Sequence, residues 1–540
     1  MPPQSSARDP ATYTRRYALT LLFVVLLVPG GVRLPQECAP MRNVLIVTLD
    51  TTRADYLPAY GYTKLETPAL DRLAREGTVF EHATTSAPLT LPAHCTIFTG
   101  LLPPHHHVRD NADRPLDDRQ ITLAEVLKTQ GMSTAAFVGA VVLGHDRGLV
   151  QGFETYAAPS RSGLRDGNRR SGEQVVDDAL AWLTRLENRP FFAWIHLYDA
   201  HAPYALPEPY RTRYEDAPYL GALAVLDAQV GRLVRALEGR HLLDRTLLVV
   251  ASDHGESLGE HGEDSHGIFL YESTLHVPLI MRVPGLPPHR VADVSRLADV
   301  MPTVLDLLHV RAPKMDGTSL VPLMTGSVKQ LDLDAYSESS YPRRFGWSEL
   351  LALRAGRYKF IKAPRPELYD LEVDPHEYHN IYNERAALAS SLAARVDAVE
   401  TSARIGAPTN NAIDADTMSR LSALGYVGHG TVGVPAALRE TPAIDPKDCI
   451  GRYNEIVRWR TGGATQLQNT RVNAAGQECG TTEAVTSGRR THQSNTGGSN
   501  AAGQHHCSRR PCRISERVRR REPDTAQRFH RGDDSGGHWR

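Results

Sequence analysis

From Arg42 onward the chain encodes an α/β fold, a mainly parallel sheet sandwiched by helices, followed by a smaller C-terminal sheet subdomain. Three observations point there. Short, almost continuous apolar runs alternate with segments of helical period, the pattern of strands buried on both faces by crossover helices. The helical segments carry start and stop residues at their ends. After "MDGTSLVPLMTG" the texture shifts to shorter, polar-punctuated segments such as "YSESSYPRRFGWSELLALRAGRYKFI" and "ELYDLEVDP", consistent with a small second sheet packed on the first domain.

"NVLIVTLD" reads as a buried strand ending at Asp50. "TPALDRLAREG" follows as a helix with Thr67 as N-cap, Pro68 at its first position, Leu70, Leu73 and Ala74 on one face and Gly77 past its end. "TLAEVLKTQG" repeats the device, with Thr122 and Glu125 spaced as a capping box and Gly131 closing the helix. Further strands are expected at "STAAFVGA", "PFFAWIHLYD", "RTLLVVASD" and "HVPLIMRV". In such sheets ligands collect at the carboxyl ends of the strands, where Asp50, Asp199 and Asp253 all sit.

At 540 residues the chain exceeds what one hydrophobic core usually serves, so one large domain with appendages is expected. A net charge of -1 excludes a global pull toward nucleic acid or anionic membrane, so charge selectivity must be local. Six scattered cysteines make no disulfide framework, and none is assigned. Residues 1–40 hold "YTRRYALTLLFVVLLVPGG", a basic flank and an apolar run of signal-sequence length, so export is expected, to a periplasmic, extracellular or membrane-anchored location. Residues 41–330 form the expected catalytic domain, 331–400 the C-terminal subdomain and 401–460 a linker with a helical start at "DPKDCIGRYNEI". From 461 to 540 there is one leucine and no lysine, a composition that cannot build a core. That tail reads as a disordered arm or, preferably, as the product of a reading-frame shift that cut off a helical repeat region; it is assigned no function.

Chemistry-bearing residues gather at the strand ends. Asp50 closes the first strand, Thr90 opens a helix, and Asp253 and His254 close a later strand in "VVASDHGESLGEHG". Two carboxylates, a neutral imidazole and a hydroxyl make a hard, mostly oxygen site for one divalent cation such as Mn²⁺, Mg²⁺, Ca²⁺ or Zn²⁺. Taken singly, an aspartate after a strand is most often a turn or a cap. "SDHGE" at a strand end, after this upstream pattern, is more specific.

From about Arg42 to Asp374 the chain resembles the sulfatase family of the alkaline phosphatase superfamily. "NVLIVTLDTTRADYL", "APLTLPAHCTIFTGLLPPHHHVRDN", "FFAWIHLYDAHAPY", "LLVVASDHGESLGEHGEDSHG" and "ELYDLEVDP" occur in that family's order. Its sulfatases carry a cysteine, oxidised to formylglycine, in a C-x-P-x-R pattern before a helix ending in T-G. Counted back from Thr99-Gly100, that pattern places Thr90 at the cysteine position, Pro92 at the proline and His94 at the arginine. Cys95 lacks the proline and arginine that should follow it, and reads as a small buried hydrophobe. Members with threonine here include phosphodiesterases and lipoteichoic acid synthase-like phosphoglycerol transferases, whose metal ligands match Asp50, Thr90, Asp253 and His254. Sulfatases usually add a second acid directly after the first; here it is Thr51, which argues for one metal.

The resemblance implies a metal-dependent hydrolase, or a transferase, of anionic esters with a threonine nucleophile. A formylglycine hydrate expels sulfate by elimination through its second hydroxyl; a threonine has none, whereas a phosphorylated threonine can be hydrolysed at phosphorus. Phosphodiesters and phosphonates are therefore expected ahead of sulfate esters, on small-molecule, glycan or lipid-linked substrates. The family also points to His201 in "DAHAPY" and His266 in "EDSHGIFLYE" as further catalytic donors. Weaker substrate-binding candidates are His94, His106 and Arg109; for Arg109 a structural ion pair is the equal alternative. The run His105–His107 could be a surface metal trap, but histidines on an adjacent loop are more often incidental. Three alternatives stand beside this reading: a true sulfatase, a second metal on Asp199, His201 and His266, and a decayed scaffold protein.

Overall fold

The computed structural model describes residues 41–159, 169–187, 189–403 and 444–460. All lie in the unit formed by residues 1–484; residues 485–540 lie outside the described residues, as do the expected export signal and the whole of the expected tail, 461–540. Among the described residues no helix is long and apolar enough to cross a membrane.

The strands of the main sheet are β1 (Asn43–Leu49), β2 (Thr78–Thr84), β3 (Ser133–Val138), β4 (Thr155–Ala157), β5 (Phe191–Leu197), β6 (Thr246–Ser252), β7 (His276–Val277), β8 (Leu279–Arg282) and β9 (His289–Arg296). They run in the order β4-β3-β5-β1-β6-β8-β2-β7, with β9 pairing β2. The β4-β3-β5-β1-β6 block is parallel, and β8 and β7 are antiparallel to their neighbours. β1 shows why the apolar runs are continuous: Val44 and Ile46 enter one core cluster, while Leu45, Val47 and Leu49 enter another on the opposite face.

Three strands escape the sequence pattern, among them β4, which is only three part-buried residues long. β2, "TVFEHAT", is interrupted by the part-exposed Glu81 and His82, and β9, "HRVADVSR", buries only part of its length. The single strand expected at "HVPLIMRV" is divided at Pro278 into β7 and β8, because proline lacks the N–H that a continuing ladder needs.

Helix α1 (Pro68–Glu76) starts as expected but is capped differently. The Thr67 hydroxyl donates to Asp71, and the first-turn amides of Ala69 and Leu70 donate instead to the buried carboxylate of Asp227, at 3.2 and 2.8 Å. Gly77 permits a close approach: a Cβ there would stand 2.7 Å from the carbonyl oxygen of Met281. The Thr122–Glu125 capping box is reciprocal, with Thr122 N donating to Glu125 Oε2 at 2.8 Å and Glu125 N to Thr122 Oγ1 at 3.2 Å.

The second sheet is antiparallel, β10 (Asp334–Ser339), β11 (Leu350–Ala355), β12 (Tyr358–Lys362) and β13 (Glu367–Asp370), in that order. Helix Ala386–Ala403 covers it through Ala389, Leu392 and Val396. Of the expected linker, residues 404–443 lie outside the described residues, but 444–460 pack into a core cluster through Cys449 and Tyr453. Cys449 is disulfide-bonded, against the expectation of no disulfides.

Candidate active site

Register brings the two carboxylates together. β1 and β6 are parallel neighbours with Leu49 opposite Ser252, so Asp50 and Asp253 leave the sheet side by side. The chain turns sharply after Asp50: Thr51 adopts φ +49°, unusual for a β-branched residue, and is held by Tyr219 OH donating to its carbonyl at 2.8 Å. The neighbouring Thr52 N donates to Ser252 Oγ at 3.0 Å.

Thr90 is the first residue of helix α2 (Thr90–Thr99) and is fully buried. Its Oγ1 lies 3.5 Å from Asp50 Oδ2 and 3.3 Å from His254 Nε2. His254 Nδ1 donates to the carbonyl of Gly255 at 2.9 Å, which leaves its Nε2 lone pair facing Thr90. Asp50 Oδ1 and Asp253 Oδ2 are sealed from solvent without a hydrogen-bond partner. Asp50, Asp253 and His254 each place one ligand atom within 4.8 Å of the others. Two buried acceptors with no donor, a nitrogen lone pair and a hydroxyl fit a hard divalent cation, which would satisfy all of them at once.

Burial sets the electrostatics. It lifts the carboxyl groups of Asp50 to about 7 and of Glu256 to about 8. It pushes the imidazoles of His94 down to about 3, of His196 and His266 to about 4, and of His201 well below its ordinary value. These four histidines are thus held neutral and bring no positive charge to the pocket.

His266 and His201 stand on one side of this cluster. The His266 ring centroid is 4.4 Å from that of His254 and 5.1 Å from that of His201. His201 Nδ1 donates to the carbonyl of Ala202 at 2.6 Å, and its Nε2 has no partner. His94 lies beneath Thr90: its Nδ1 donates to the Thr90 carbonyl at 2.7 Å, so its Nε2 accepts from Thr48 Oγ1 at 3.0 Å. Both nitrogens are engaged and the ring is fully buried, so His94 supports the turn that carries Thr90 and offers no charge to a bound anion.

His106 and Arg109 are not brought to the cluster. His106 Nε2 meets Thr96 Oγ1 at 3.1 Å in the interior. Arg109 grips the fully buried Glu338 through two nitrogens and Glu400 through one, which is the structural alternative for this residue. Asp199 accepts from Gly172 N at 3.0 Å at the start of helix Gly172–Thr184. His105 pairs with Asp316 at 2.7 Å. Cys95 is fully buried within the apolar core, and burial raises its thiol pKa.

The helix terminus is less open to an anion than its position implies. Leu91 N already donates to Asn111 Oδ1 at 2.8 Å, Pro92 has no N–H, and Ala93 N donates to Leu89 O at 3.1 Å.

Sequence reasoning missed His196 and Glu256. His196, inside β5, places Nε2 3.3 Å from Asp50 Oδ2 and Nδ1 3.1 Å from Thr48 Oγ1, which also accepts from Trp194 Nε1 at 2.9 Å. Glu256 Oε1 accepts from His266 Nδ1 at 3.0 Å. The available signals were a histidine within an apolar strand and the glutamate of "SDHGE".

Comparison with known proteins follows the same lines. A family model described as Sulfatase matches residues 42–310, and one described as N-sulphoglucosamine sulphohydrolase, C-terminal, matches residues 259–401. A choline-sulfatase of Rhizobium meliloti (strain 1021) is 27% identical over 429 residues, covering 63% of this chain and 82% of its own. The phosphonate monoester hydrolase of Agrobacterium radiobacter has a similar structure, with a TM-score of 0.59 at 24% identity over 67% of this chain and 96% of its own. So does a protein solved in complex with its substrate D-glucosamine-2-N,6-O-disulfate, with a TM-score of 0.57 at 21% identity over 68% and 99% of the two chains.

Proposed function

The chain belongs to the sulfatase family of the alkaline phosphatase superfamily and is an ester hydrolase; from that premise we propose that it cleaves phosphodiesters or phosphonate esters through Thr90, with one divalent cation at Asp50, Thr90, Asp253 and His254. The observation that carries this reading is the setting of Thr90 Oγ1, within 3.5 Å of both Asp50 and His254, while Cys95 is packed into the apolar core.

The cation, when bound, lowers the pKa of the Thr90 hydroxyl and offsets the charge of the ester. Thr90 Oγ1 forms a bond to phosphorus as the bond to the leaving oxygen breaks; the hydroxyl proton passes to the free Nε2 of a neutral histidine, His266 or His201, and from there to the leaving oxygen. Water then adds to phosphorus and returns the Thr90 hydroxyl. His94 and Thr48 hold the main chain beneath Thr90 so that its hydroxyl stays aimed at the pocket.

The test is a paired assay with bis-p-nitrophenyl phosphate and p-nitrophenyl sulfate across Mn²⁺, Mg²⁺, Ca²⁺ and Zn²⁺. Thr90→Ala is expected to lose at least about a thousandfold in kcat on the diester. Cys95→Ala is expected to stay within about threefold, since the thiol only fills space. Full turnover by Thr90→Ala, or an oxidised aldehyde at Cys95 by mass spectrometry, would overturn the reading. Sulfate-ester hydrolysis is the second reading, favoured by relatives such as the choline-sulfatase; the adduct that Thr90 carries, phosphoryl or sulfuryl, separates the two. Export by the N-terminal segment belongs to the same proposal, and cell fractionation tests it.

A further inference from the structure

His266 is the part of the site most thoroughly tied down by chain from outside the catalytic sheet. Its imidazole Nδ1 donates to Glu256 Oε1 at 3.0 Å, and Glu256 is itself buried. A neutral ring that donates through Nδ1 presents the Nε2 lone pair on its other side, free to take up the proton released by Thr90 and hand it on, and the bond to Glu256 fixes the ring's rotation as well as its tautomer. Its main chain is anchored too. The His266 carbonyl accepts from Tyr453 OH at 2.8 Å, and the next carbonyl, at Gly267, accepts from Ser339 Oγ. The two amides that follow, Ile268 N and Phe269 N, donate to the carboxylate of Glu263 at 2.8 and 3.1 Å.

Tyr453 comes from residues 444–460, which lie beyond both family models. This segment is pinned to the second sheet before it reaches the site: Asp445 Oδ2 accepts from Arg365 N at 3.1 Å, and Lys447 pairs with Glu367 on β13. It then grips the loop that leads to His266. Asn454 accepts from Asp264 N at 3.1 Å and donates to the Gly262 carbonyl at 2.6 Å. Tyr453 is 4% exposed and shares a core cluster with Ile268, Phe269 and Leu89, the residue preceding Thr90. One small apolar cluster therefore backs both Thr90 and His266.

We propose that residues 444–460 complete the active site, with Tyr453 and Glu256 as positioning residues that aim His266 Nε2 at the leaving-group oxygen. The inference rests on the reading of His266 as the donor to that oxygen. Glu256 sets the direction of the ring, and Tyr453 sets the height of the backbone that carries it. A displacement of about an ångström is enough to cost a large part of a positioned donor's contribution. A cut just before residue 444 would remove the clamp and leave the matched family regions intact.

The test uses the full chain and aryl phosphodiesters that differ only in leaving group, p-nitrophenol against phenol. A donor to the leaving oxygen matters most when that oxygen is a poor leaving group. His266→Gln should therefore lose about a hundredfold on the phenyl ester and little on the p-nitrophenyl ester. Equal losses on both would sink the donor reading itself. Given the selective loss, Tyr453→Phe should lose about tenfold on the phenyl ester and under about twofold on the p-nitrophenyl ester, the scale of one hydrogen bond. Glu256→Ala should show the same selectivity and Glu256→Gln, which can still accept from Nδ1, should restore it. Combined with His266→Gln, Tyr453→Phe should add no further loss. Uniform losses, or losses that multiply on the His266→Gln background, would refute the positioning role while leaving the donor reading standing. Asn454→Ala, which loosens the same loop from a second point, carries the same expectation if Tyr453→Phe does not fold.

Discussion

Asp50→Asn should change sign between the cation-free and the cation-loaded protein. Without a cation, burial raises the Asp50 pKa from 3.8 to about 7. Because the folded value lies above the unfolded one, the unfolded chain gives up its proton first. Stability from this group is full below pH 3.8 and is lost as pH rises through about 7. A shift of about three units corresponds to about 4 kcal/mol, of which about 2.5 kcal/mol falls between about pH 5 and about pH 8. For a domain of this size that is about 3 °C in Tm. Asparagine keeps the shape and carries no charge, so in chelator the Tm of Asp50→Asn should gain about 3 °C on wild type over that range. A divalent cation at about a thousand times its Kd should then add about 4.1 kcal/mol to wild type and little to the variant, reversing their order near pH 6. Differential scanning fluorimetry in chelator and in each metal reads both effects. Parallel pH curves in chelator, or equal metal-induced shifts, would refute the idea that Asp50 is an uncompensated buried carboxylate awaiting a cation.

Other expectations concern residues placed by the fold. Arg109→Met should cost about 3–5 kcal/mol by urea unfolding, because it strands the buried Glu338, with the folded fraction keeping its kcat; loss of kcat without loss of stability would return Arg109 to substrate binding. The His105–Asp316 pair raises the histidine pKa and lowers the aspartate pKa, so its contribution is full between pH 3.8 and 6.5, lost as pH falls through the depressed Asp316 value and lost as pH rises through the raised His105 value. His105→Gln should therefore be destabilising near pH 6 and nearly neutral at about pH 9, and a pH-independent difference from wild type would contradict that. Asp227→Ala should cost about 1–2 kcal/mol, since it uncaps α1 from across the core; a thermal or urea midpoint equal to wild type would show that Thr67 caps the helix after all.

What the sequence made legible was local. The continuous apolar runs of β1, β5 and β6 follow from burial on both faces, and the Thr122–Glu125 box follows from three-residue spacing. The candidate ligands were legible because they sit at strand ends, although only the β1–β6 register explains why Asp50 and Asp253 adjoin. What stayed hidden depends on contacts far apart in the chain. Asp227 caps α1 from 157 residues away, and Arg109 finds its carboxylates 229 and 291 residues downstream. β2 was obscured because Glu81 and His82 break its apolar pattern. Tyr453 lay in what read as linker, and nothing in its local sequence ties it to the His266 carbonyl.

The charge balance of the pocket bears on which esters it can turn over. Where the family's sulfatases show a second acid and an arginine, this chain has Thr51, and a His94 that is buried, held neutral and engaged at both nitrogens. One negative and one positive group are thus missing together. With Asp50 and Asp253 ionised on a divalent cation, and Glu256 protonated below about pH 8, the pocket is close to neutral before substrate enters. A phosphodiester or phosphonate monoester brings one negative charge into this water-poor site, and a phosphomonoester brings nearly two. Among the described residues Arg53 is paired with Asp55 and Glu260 and Arg169 donates to the carbonyls of His201 and Pro203, so with a neutral His94 at the arginine position the burial of a second charge is penalised in a low dielectric. Bis-p-nitrophenyl phosphate should therefore exceed p-nitrophenyl phosphate in kcat/KM by at least about tenfold, with the same metal and the same dependence on Thr90. A preference for the monoester would mean that positive charge reaches the phosphoryl group from residues placed elsewhere, and the account of His94 as a neutral support would fail with it.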